Sequence, residues 1–133
     1  MKLISAVIPL VALFSVASAV NVRYNSQYDN ASGGPTSVEC FYGPGPLMGP
    51  DHFGAVPSFP YIAGADMVLA NTSGCGSCWQ ITQGVNSVNV TVVDLSQDGF
   101  SLSREAMGKL TNGPGPIEAS ATQIDGSFCG LPA

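Results

Sequence analysis

The segment GCGSCWQ, residues Gly74–Gln80, places two cysteines three positions apart, directly before a tryptophan. The chain has four cysteines, and the other two are Cys40 and Cys129. Four cysteines allow three disulfide pairings. A bridge from Cys75 to Cys78 would form a redox dithiol, whereas sequential bridges would each stabilise the fold by roughly 4 kcal/mol. A zinc site is disfavoured because no second C-x-x-C or histidine pair accompanies the first, but the residues alone leave the pairing open.

The string C-G-S-C-W within this segment is also the local signature around the nucleophile of papain-like cysteine proteases. Those enzymes need a histidine base about 130 to 150 residues downstream, because nucleophile and base meet only in the folded chain. Only 58 residues follow Cys75, and the sole histidine, His52, lies upstream of it. The sequence therefore argues against a papain-like protease. We expect His52 to be a solvated loop residue.

The first residues have the pattern of a secretory signal peptide. A basic start at Met1-Lys2 precedes an apolar run, Leu3–Val16, and the small-x-small site Ala17-Ser18-Ala19. The apolar run is shorter than the roughly 20 residues of a membrane span. We predict a signal peptide over residues 1–19 and a single domain over residues 20–133, with no membrane anchor and an extracellular or cell-wall location.

Other features fit the same secretory route. Cysteines in a small secreted domain usually form disulfides, because the compartment is oxidising. Three N-x-S/T sequons begin at Asn30, Asn71 and Asn89, and each is a candidate N-glycosylation site.

The charge of the chain limits its partners. After removal of Lys2 with the leader, three cations, Arg23, Arg104 and Lys109, face nine acidic residues, a formal charge of −6. So few cations cannot form a basic stripe, which disfavours nucleic acid and anionic lipid as partners. Charged residues make up only 10% of the chain, and a surface of small polar residues suits a polysaccharide or an interface. We expect neither a cofactor nor a metal.

Alternation of apolar and polar residues predicts a β-rich fold. The predicted strands are Val20–Tyr24, Trp79–Thr82, Ser87–Val92 and Ile117–Ile124. Residues 41–60 are rich in proline and glycine, which predicts an irregular loop.

One helix is predicted after the third of these strands. Ser103 can cap it, Glu105 lies in its first turn, and Asn112-Gly113-Pro114 would end it. Together these elements predict a small, mainly β domain, a barrel with one or two short helices.

Seven short motifs also resemble the cerato-platanin family of small secreted fungal proteins. They occur in the family's order and approximate spacing: Val20–Tyr24, Val56–Pro60, Cys75–Trp79, Val93-Asp94, Gly99-Phe100, Ala121–Gln123 and Cys129–Leu131. This resemblance implies a six-stranded double-psi β-barrel like that of expansins and barwin-like domains. It also implies two disulfides, from Cys40 to Cys75 and from Cys78 to Cys129, so that the two cysteines of the opening segment close different loops.

The resemblance also implies a function. Cerato-platanins bind chitin oligomers, weaken cellulosic material without hydrolysis, and are perceived by plants as defence elicitors. We therefore predict a non-catalytic, monomeric protein that binds chitin or N-acetylglucosamine oligomers, with cellulose as a further partner, and can self-assemble at interfaces. Two alternatives stay open. One is a surface-active coat protein, and the other is a weak glycoside hydrolase, which would need two carboxylates, Asp94 and Asp98.

Four residues are predicted to contact carbohydrate. Asp94 matches an aspartate that the family shares with expansins, although an aspartate after a strand can equally cap a turn. Ser101 follows Gly99-Phe100 where many members carry asparagine, so its shorter side chain would lower affinity. Tyr24 and Tyr61 would offer their rings to the sugar, whose C–H faces pack on aromatic surfaces.

Two further aromatic residues are predicted to pack in the interior. Trp79 follows a half-cystine at the start of a strand, and Phe100 is expected beneath a loop that carries Asp94. The loop Phe41–Asp51 has no clear counterpart in the family, so the specificity that it contributes is not predicted.

Overall fold

The computed structural model describes residues 19–34, 40, 52–66 and 74–131. Its elements are six strands, one α-helix and short 3₁₀ turns. In chain order these are β1 (Ala19–Tyr24), the Tyr28 turn (Ser26–Asp29), the Phe53 turn (Phe53–Ala55), β2 (Ile62–Ala65), β3 (Cys78–Gln83), β4 (Asn86–Leu95), β5 (Phe100–Leu102), α1 (Arg104–Gly108), β6 (Ile117–Ile124) and the Cys129 turn (Gly126–Cys129).

The six strands form a closed barrel in the order β1-β5-β2-β4-β3-β6, and β6 pairs back onto β1. Two pairs are parallel, β1 with β5 and β2 with β4, and the other four are antiparallel. This confirms the predicted mainly β, six-stranded barrel with few short helices and two disulfides.

Four of the strands were predicted from alternation, and their bounds differ little from the observed ones. β6 matches, β1 begins one residue earlier, and β4 runs on to Leu95. Two strands were missed. β5 has only three residues, and β2 is buried on both faces along its sequence IAGA, so neither shows the alternation of a half-buried strand.

The helix begins where it was predicted but ends early. The Ser103 side chain caps it by accepting a hydrogen bond from the Ala106 N–H at 3.3 Å. The helix stops at Gly108 rather than Asn112, and Lys109 and Leu110 continue as a turn. In the predicted irregular segment, residues 53–55 form the Phe53 turn. The part over residues 41–51 lies outside the described residues.

The disulfides join Cys40 to Cys75 and Cys78 to Cys129, as the family resemblance implied. They span 35 and 51 residues. The second bridge attaches the Cys129 turn to the start of β3, so the last described turn is fixed to the barrel wall.

Aliphatic side chains from several strands fill the barrel interior. Val22, Ile81 and Leu102 are fully buried. Phe100 is also buried and packs edge-on against Trp79, with ring centroids 5.6 Å apart, which confirms that both rings belong to the core region. The expected loop above Phe100 is wrong, because Asp94 lies within β4.

Candidate functional site

Asp94 lies beside Gly64, and a strand irregularity places it there. Along β2 and β4 the register shifts between Ala63 and Gly64, so that Gly64 faces Asp94 instead of Val93. Such bulges re-aim side chains and are enriched near functional sites. On its other side Gly64 pairs with Ser101 of β5. We call Asp94, Gly64 and Ser101 the Asp94 row.

The carboxylate of Asp94 is held by two donors. The Tyr28 hydroxyl donates to Oδ2 at 3.0 Å, and the Leu95 N–H donates to Oδ1 at 2.8 Å. The Asp94 residue is 8% exposed, and Tyr28 is 2% exposed. A buried charge is costly unless it is hydrogen-bonded, so Asp94 has a structural role while one edge of it reaches the surface.

Gly64 makes this arrangement possible, because a Cβ at this position would collide with the Tyr28 hydroxyl. Ser101, the third member of the row, is 6% exposed, and its Oγ lies 3.0 Å from Oγ of Ser96. The structure thus brings Asp94 and Ser101 to the same place, but largely beneath the surface. Tyr28 contacts Asp94 and lies over Gly64, and no local sequence pattern indicates this contact because the residues are far apart in the chain.

Burial raises the pKa of the Tyr28 hydroxyl well above its usual range, and the neighbouring Asp94 carboxylate raises it further. A raised pKa in the folded state means that stability is fully present below the unfolded pKa of about 10 and is lost as pH rises towards the folded value. The hydroxyl therefore stays a proton donor to Asp94 in mildly alkaline solution.

We expect the free energy of unfolding of a Tyr28→Phe variant to be about 1 to 3 kcal/mol lower at neutral pH, because the Asp94 carboxylate loses one of its hydrogen-bond donors. In the wild type, phenol absorbance should show a late-titrating tyrosine and stability should fall above pH of about 10. The variant should lack that tyrosine and show a weaker alkaline decline. Tyr24→Phe is the control, because it leaves the Tyr28 contact in place. A variant that is as stable as the wild type would contradict this role.

Tyr24 lies on the other side of the Tyr28 turn. Its hydroxyl donates to the Asp29 carboxylate, and this hydrogen bond raises the pKa of Tyr24. The Arg104 guanidinium lies 5.4 Å from the centroid of the Tyr24 ring. The backbone N–H of Arg104 donates to Asp29 Oδ1 at 2.6 Å. Because one turn carries both Tyr28 and Asp29, it ties Tyr24 to the Asp94 row.

A cavity of about 330 Å³ opens beside Tyr24. It is lined by Tyr24, Arg104, Met107, Gly108 and residues 111–114. This cavity offers an aromatic surface, a guanidinium and the amide and hydroxyl groups of small polar residues.

Asp98 has partners of its own. Its Oδ2 accepts a hydrogen bond from Asn21 Nδ2 at 2.9 Å and lies 3.4 Å from a guanidinium nitrogen of Arg23. Both side chains of the ion pair are well exposed, and such pairs contribute about 0 to 1 kcal/mol. The two carboxylates that a hydrolase would require are thus each engaged with different residues.

Tyr61 lies in a different groove from the other predicted contacts. The Tyr61 groove is lined by Ser87–Asn89 of β4, which we call its floor, and by two segments that we call its walls, Pro57–Phe59 with Tyr61 and Phe128–Gly130. Its volume is about 620 Å³, and neither Tyr24 nor the Asp94 row lines it. Lys109 lies at its edge, with Nζ 5.9 Å from the centroid of the Tyr61 ring.

Phe128 is a surface aromatic residue that sequence reasoning missed. It is 66% exposed and lines the Tyr61 groove. The only signal was an aromatic residue directly before a half-cystine, which is equally typical of a core position.

Two of the three predicted N-glycosylation sites, and His52, lie among the described residues. Asn30 is exposed and its Oδ1 accepts a hydrogen bond from the Ser32 N–H at 3.0 Å, whereas Asn89 is partly buried on the floor of the Tyr61 groove. Asn71 lies outside the described residues. His52 is exposed, as predicted.

Within the described ranges, no three His, Cys, Asp or Glu side chains come together as a metal site would require. In the same part of the chain, no helix combines the length and hydrophobicity of a membrane span.

The fold and these surfaces define a small, disulfide-bonded β-barrel with open grooves. The Cerato-platanin family model matches residues 20–131. The chain belongs to the cerato-platanin family.

Solved structures and curated relatives agree with this assignment. Cerato-platanin 3 from M. perniciosa is 38% identical, with a TM-score of 0.78 over 86% of this chain and 100% of that one. The solution structure of the fungal elicitor Cerato-Platanin is 28% identical, with a TM-score of 0.72 over 83% of this chain and 96% of that one. Allergen Asp f 15 of Aspergillus fumigatus is 34% identical over 119 residues, which cover 85% of this chain and 78% of the allergen.

Proposed function

We propose that this protein is secreted, acts outside the cell, and binds chitin or N-acetylglucosamine oligomers without cleaving them. The observation that carries the proposal is the connection made by the Tyr28 turn. On one side of this turn lies Tyr24, whose ring lines a cavity, and on the other lies the carboxylate of Asp94. An aromatic face for sugar C–H groups and an acceptor for hydroxyls are the two elements that saccharide recognition needs.

The burial of Asp94 is compatible with this role. The Asp94 residue keeps 8% of its surface exposed, and the hydrogen bonds from Tyr28 and Leu95 hold its carboxylate in position. A sugar hydroxyl would approach from the exposed edge. Ser101, with its hydroxyl near Ser96, would contribute through its remaining hydrogen-bonding capacity.

Loosening of wall polysaccharide would follow from competition. Hydrogen bonds from the protein to a glycan replace those between glycan chains, and each exchange is worth about 1 kcal/mol net. No covalent step is needed. Perception by a plant as an elicitor would be a consequence of exposure on the wall, and the relative titled a fungal elicitor makes that worth testing.

The absence of cleavage is part of the proposal. Glycoside hydrolysis uses two carboxyl groups on opposite sides of the scissile bond, about 5 to 9.5 Å apart. Asp98, which could act with Asp94, is bound by Asn21 and Arg23. These contacts with β1 favour a structural role for Asp98 over one in a catalytic pair.

An NMR titration with N-acetylglucosamine oligomers tests this proposal. Resonances around Tyr24, Asp94 and Ser101 should shift, with a free energy of binding of about −8 to −4 kcal/mol. Asp94→Asn should weaken binding roughly ten-fold, because charge-assisted hydrogen bonds to sugar hydroxyls are lost. The amide oxygen can still accept from Tyr28, so the variant should fold.

Thermal unfolding of the same variant is the control. If Asp94→Asn binds normally but melts several degrees lower, Asp94 has only its structural role. Release of reducing ends by the wild type, lost in the variant, would show an enzyme and contradict the proposal.

A surface-active coat protein is the second candidate. It is favoured by exposed apolar side chains, of which Val85 is 100%, Phe128 66% and Leu95 46% exposed. Adsorption to an air–water interface without any binding of oligosaccharide would favour this alternative.

A further inference from the structure

We propose that the Tyr61 groove is a second saccharide site, one that takes a neutral β-linked glycan, so that one molecule binds two glycan segments. This inference rests on the proposed carbohydrate binding and extends it from one site to two. The groove and the Tyr24 cavity share no lining residue. Occupation of one site therefore leaves the other open.

The dimensions and lining of the groove fit a short glycan. Its volume of about 620 Å³ lies within the range of roughly 300 to 1,000 Å³ typical of ligand sites. Phe128 presents a ring that is 66% exposed, which can cover the apolar face of a pyranose. Ser87 and Asn89 on the floor supply hydroxyl and amide groups for the sugar hydroxyls.

The Phe128 wall is held in place before any ligand binds. The Asp125 carboxylate accepts a hydrogen bond from the Ser127 N–H at 2.9 Å, which caps the Cys129 turn. The disulfide to Cys78 fixes the other end of that turn to β3. Because the wall is already ordered, the entropic cost of binding is lower.

The wall that contains Tyr61 is fixed by a separate set of contacts. The Ser58 hydroxyl donates to the Tyr61 carbonyl oxygen at 2.8 Å and lies 2.6 Å from the Thr91 hydroxyl. Thr91 is fully buried in β4. The Tyr61 segment is thereby tied to the same strand that forms the floor.

The negative net charge of the protein favours a neutral ligand over an acidic one. The chain carries a formal charge of −5, so an extended polyanion would be repelled by most of the surface. Lys109, near the Tyr61 ring, can donate to a hydroxyl or acetamido oxygen. An apolar peptide would fit less well, because polar groups of Ser87 and Asn89 would lose water without gaining partners.

Two sites on one molecule would change how it binds a solid polymer. When one site is occupied, a second glycan segment is held at high effective concentration, so retention exceeds that of either site alone. The predicted result is stronger binding to insoluble chitin or cellulose than to the matching oligomers.

Calorimetry with the N-acetylglucosamine trimer and with cellotriose tests the inference. The protein should come from a host without N-glycosylation, because a glycan on Asn89 would cover the groove. The wild type should bind two trimers, Phe128→Ala one, and Tyr24→Ala one. Phe128→Ala should also lose at least ten-fold in retention on insoluble chitin. Val85→Ala removes an even more exposed apolar side chain, at the turn between β3 and β4, and should change neither quantity.

The outcomes separate the inference from the proposed function. A single binding event that survives Phe128→Ala and disappears in Tyr24→Ala would overturn the second site and leave the first intact. Absence of any binding would overturn both. Tighter binding of an oligogalacturonide than of the neutral trimers, lost in Lys109→Gln, would overturn the assignment to neutral glycans.

Discussion

Replacement of both Cys78 and Cys129 by serine is expected to lower the free energy of unfolding by about 4 kcal/mol. The bridge between them closes a segment of 51 residues, and its loss gives the unfolded chain that additional freedom. This is a large fraction of the roughly 5 to 15 kcal/mol that stabilises a typical domain. Urea denaturation of the oxidised wild type and of the double variant measures the difference.

The double variant of Cys40 and Cys75 is the matched comparison. Its loop of 35 residues gives a similar entropic effect, because the dependence on loop length is logarithmic. The two variants should differ in function instead. Loss of the bridge to Cys129 should weaken glycan binding in the Tyr61 groove, whereas loss of the bridge between Cys40 and Cys75 should not. If the variant that lacks Cys78 and Cys129 were as stable as the wild type, this expectation would be contradicted.

Gly99→Ala is expected to destabilise the fold by about 3 kcal/mol or more, a range that point substitutions reach when the backbone must move. Gly99 has a φ of +64°, and a Cβ there would collide with the Asn21 carbonyl oxygen. Its N–H also donates to Asp66 Oδ2 at 2.9 Å. The start of β5 and the middle of β1 would have to separate to admit a methyl group.

Gly84→Ala controls for backbone strain alone. Gly84 has nearly the same φ, +63°, but no atom lies within 4 Å of its Cβ position. Its substitution should cost about 1 to 2 kcal/mol, the penalty of a left-handed conformation. Thermal unfolding of both variants compares them, and equal losses would contradict the close approach at Gly99.

The sequence predicted the elements whose signals are local. β1, β3, β4 and β6 alternate along their length, and Ser103 caps α1 as expected. β2 and β5 were not predicted, because they are short and buried on both faces and owe their extended form to neighbouring strands. The alternation of residues led to a barrel, whereas its six strands and the disulfide pairing came from the family resemblance.

The sequence predicted the candidate site only in part, because the contacts that form it also join residues distant in the chain. Resemblance pointed to Asp94, but its burial depends on Tyr28, which lies 66 positions away in the sequence. The separation of Tyr61 from Tyr24 also follows from the arrangement of loops around the barrel. Phe128 was overlooked because neither its exposure nor its place in a groove wall can be read from neighbouring residues.

The pairing of β1 with β6 determines when this molecule can fold. Ala19, the first residue of β1, pairs with Ser120 of β6, so every residue between these two strands must be synthesised before the barrel closes. Contacts between such distant segments slow folding. A growing polypeptide would therefore remain open until β6 had been synthesised, and Cys78 would lack its partner until Cys129 followed. Its dependence on folding helpers and oxidants should be greatest after, and not during, its emergence from the ribosome.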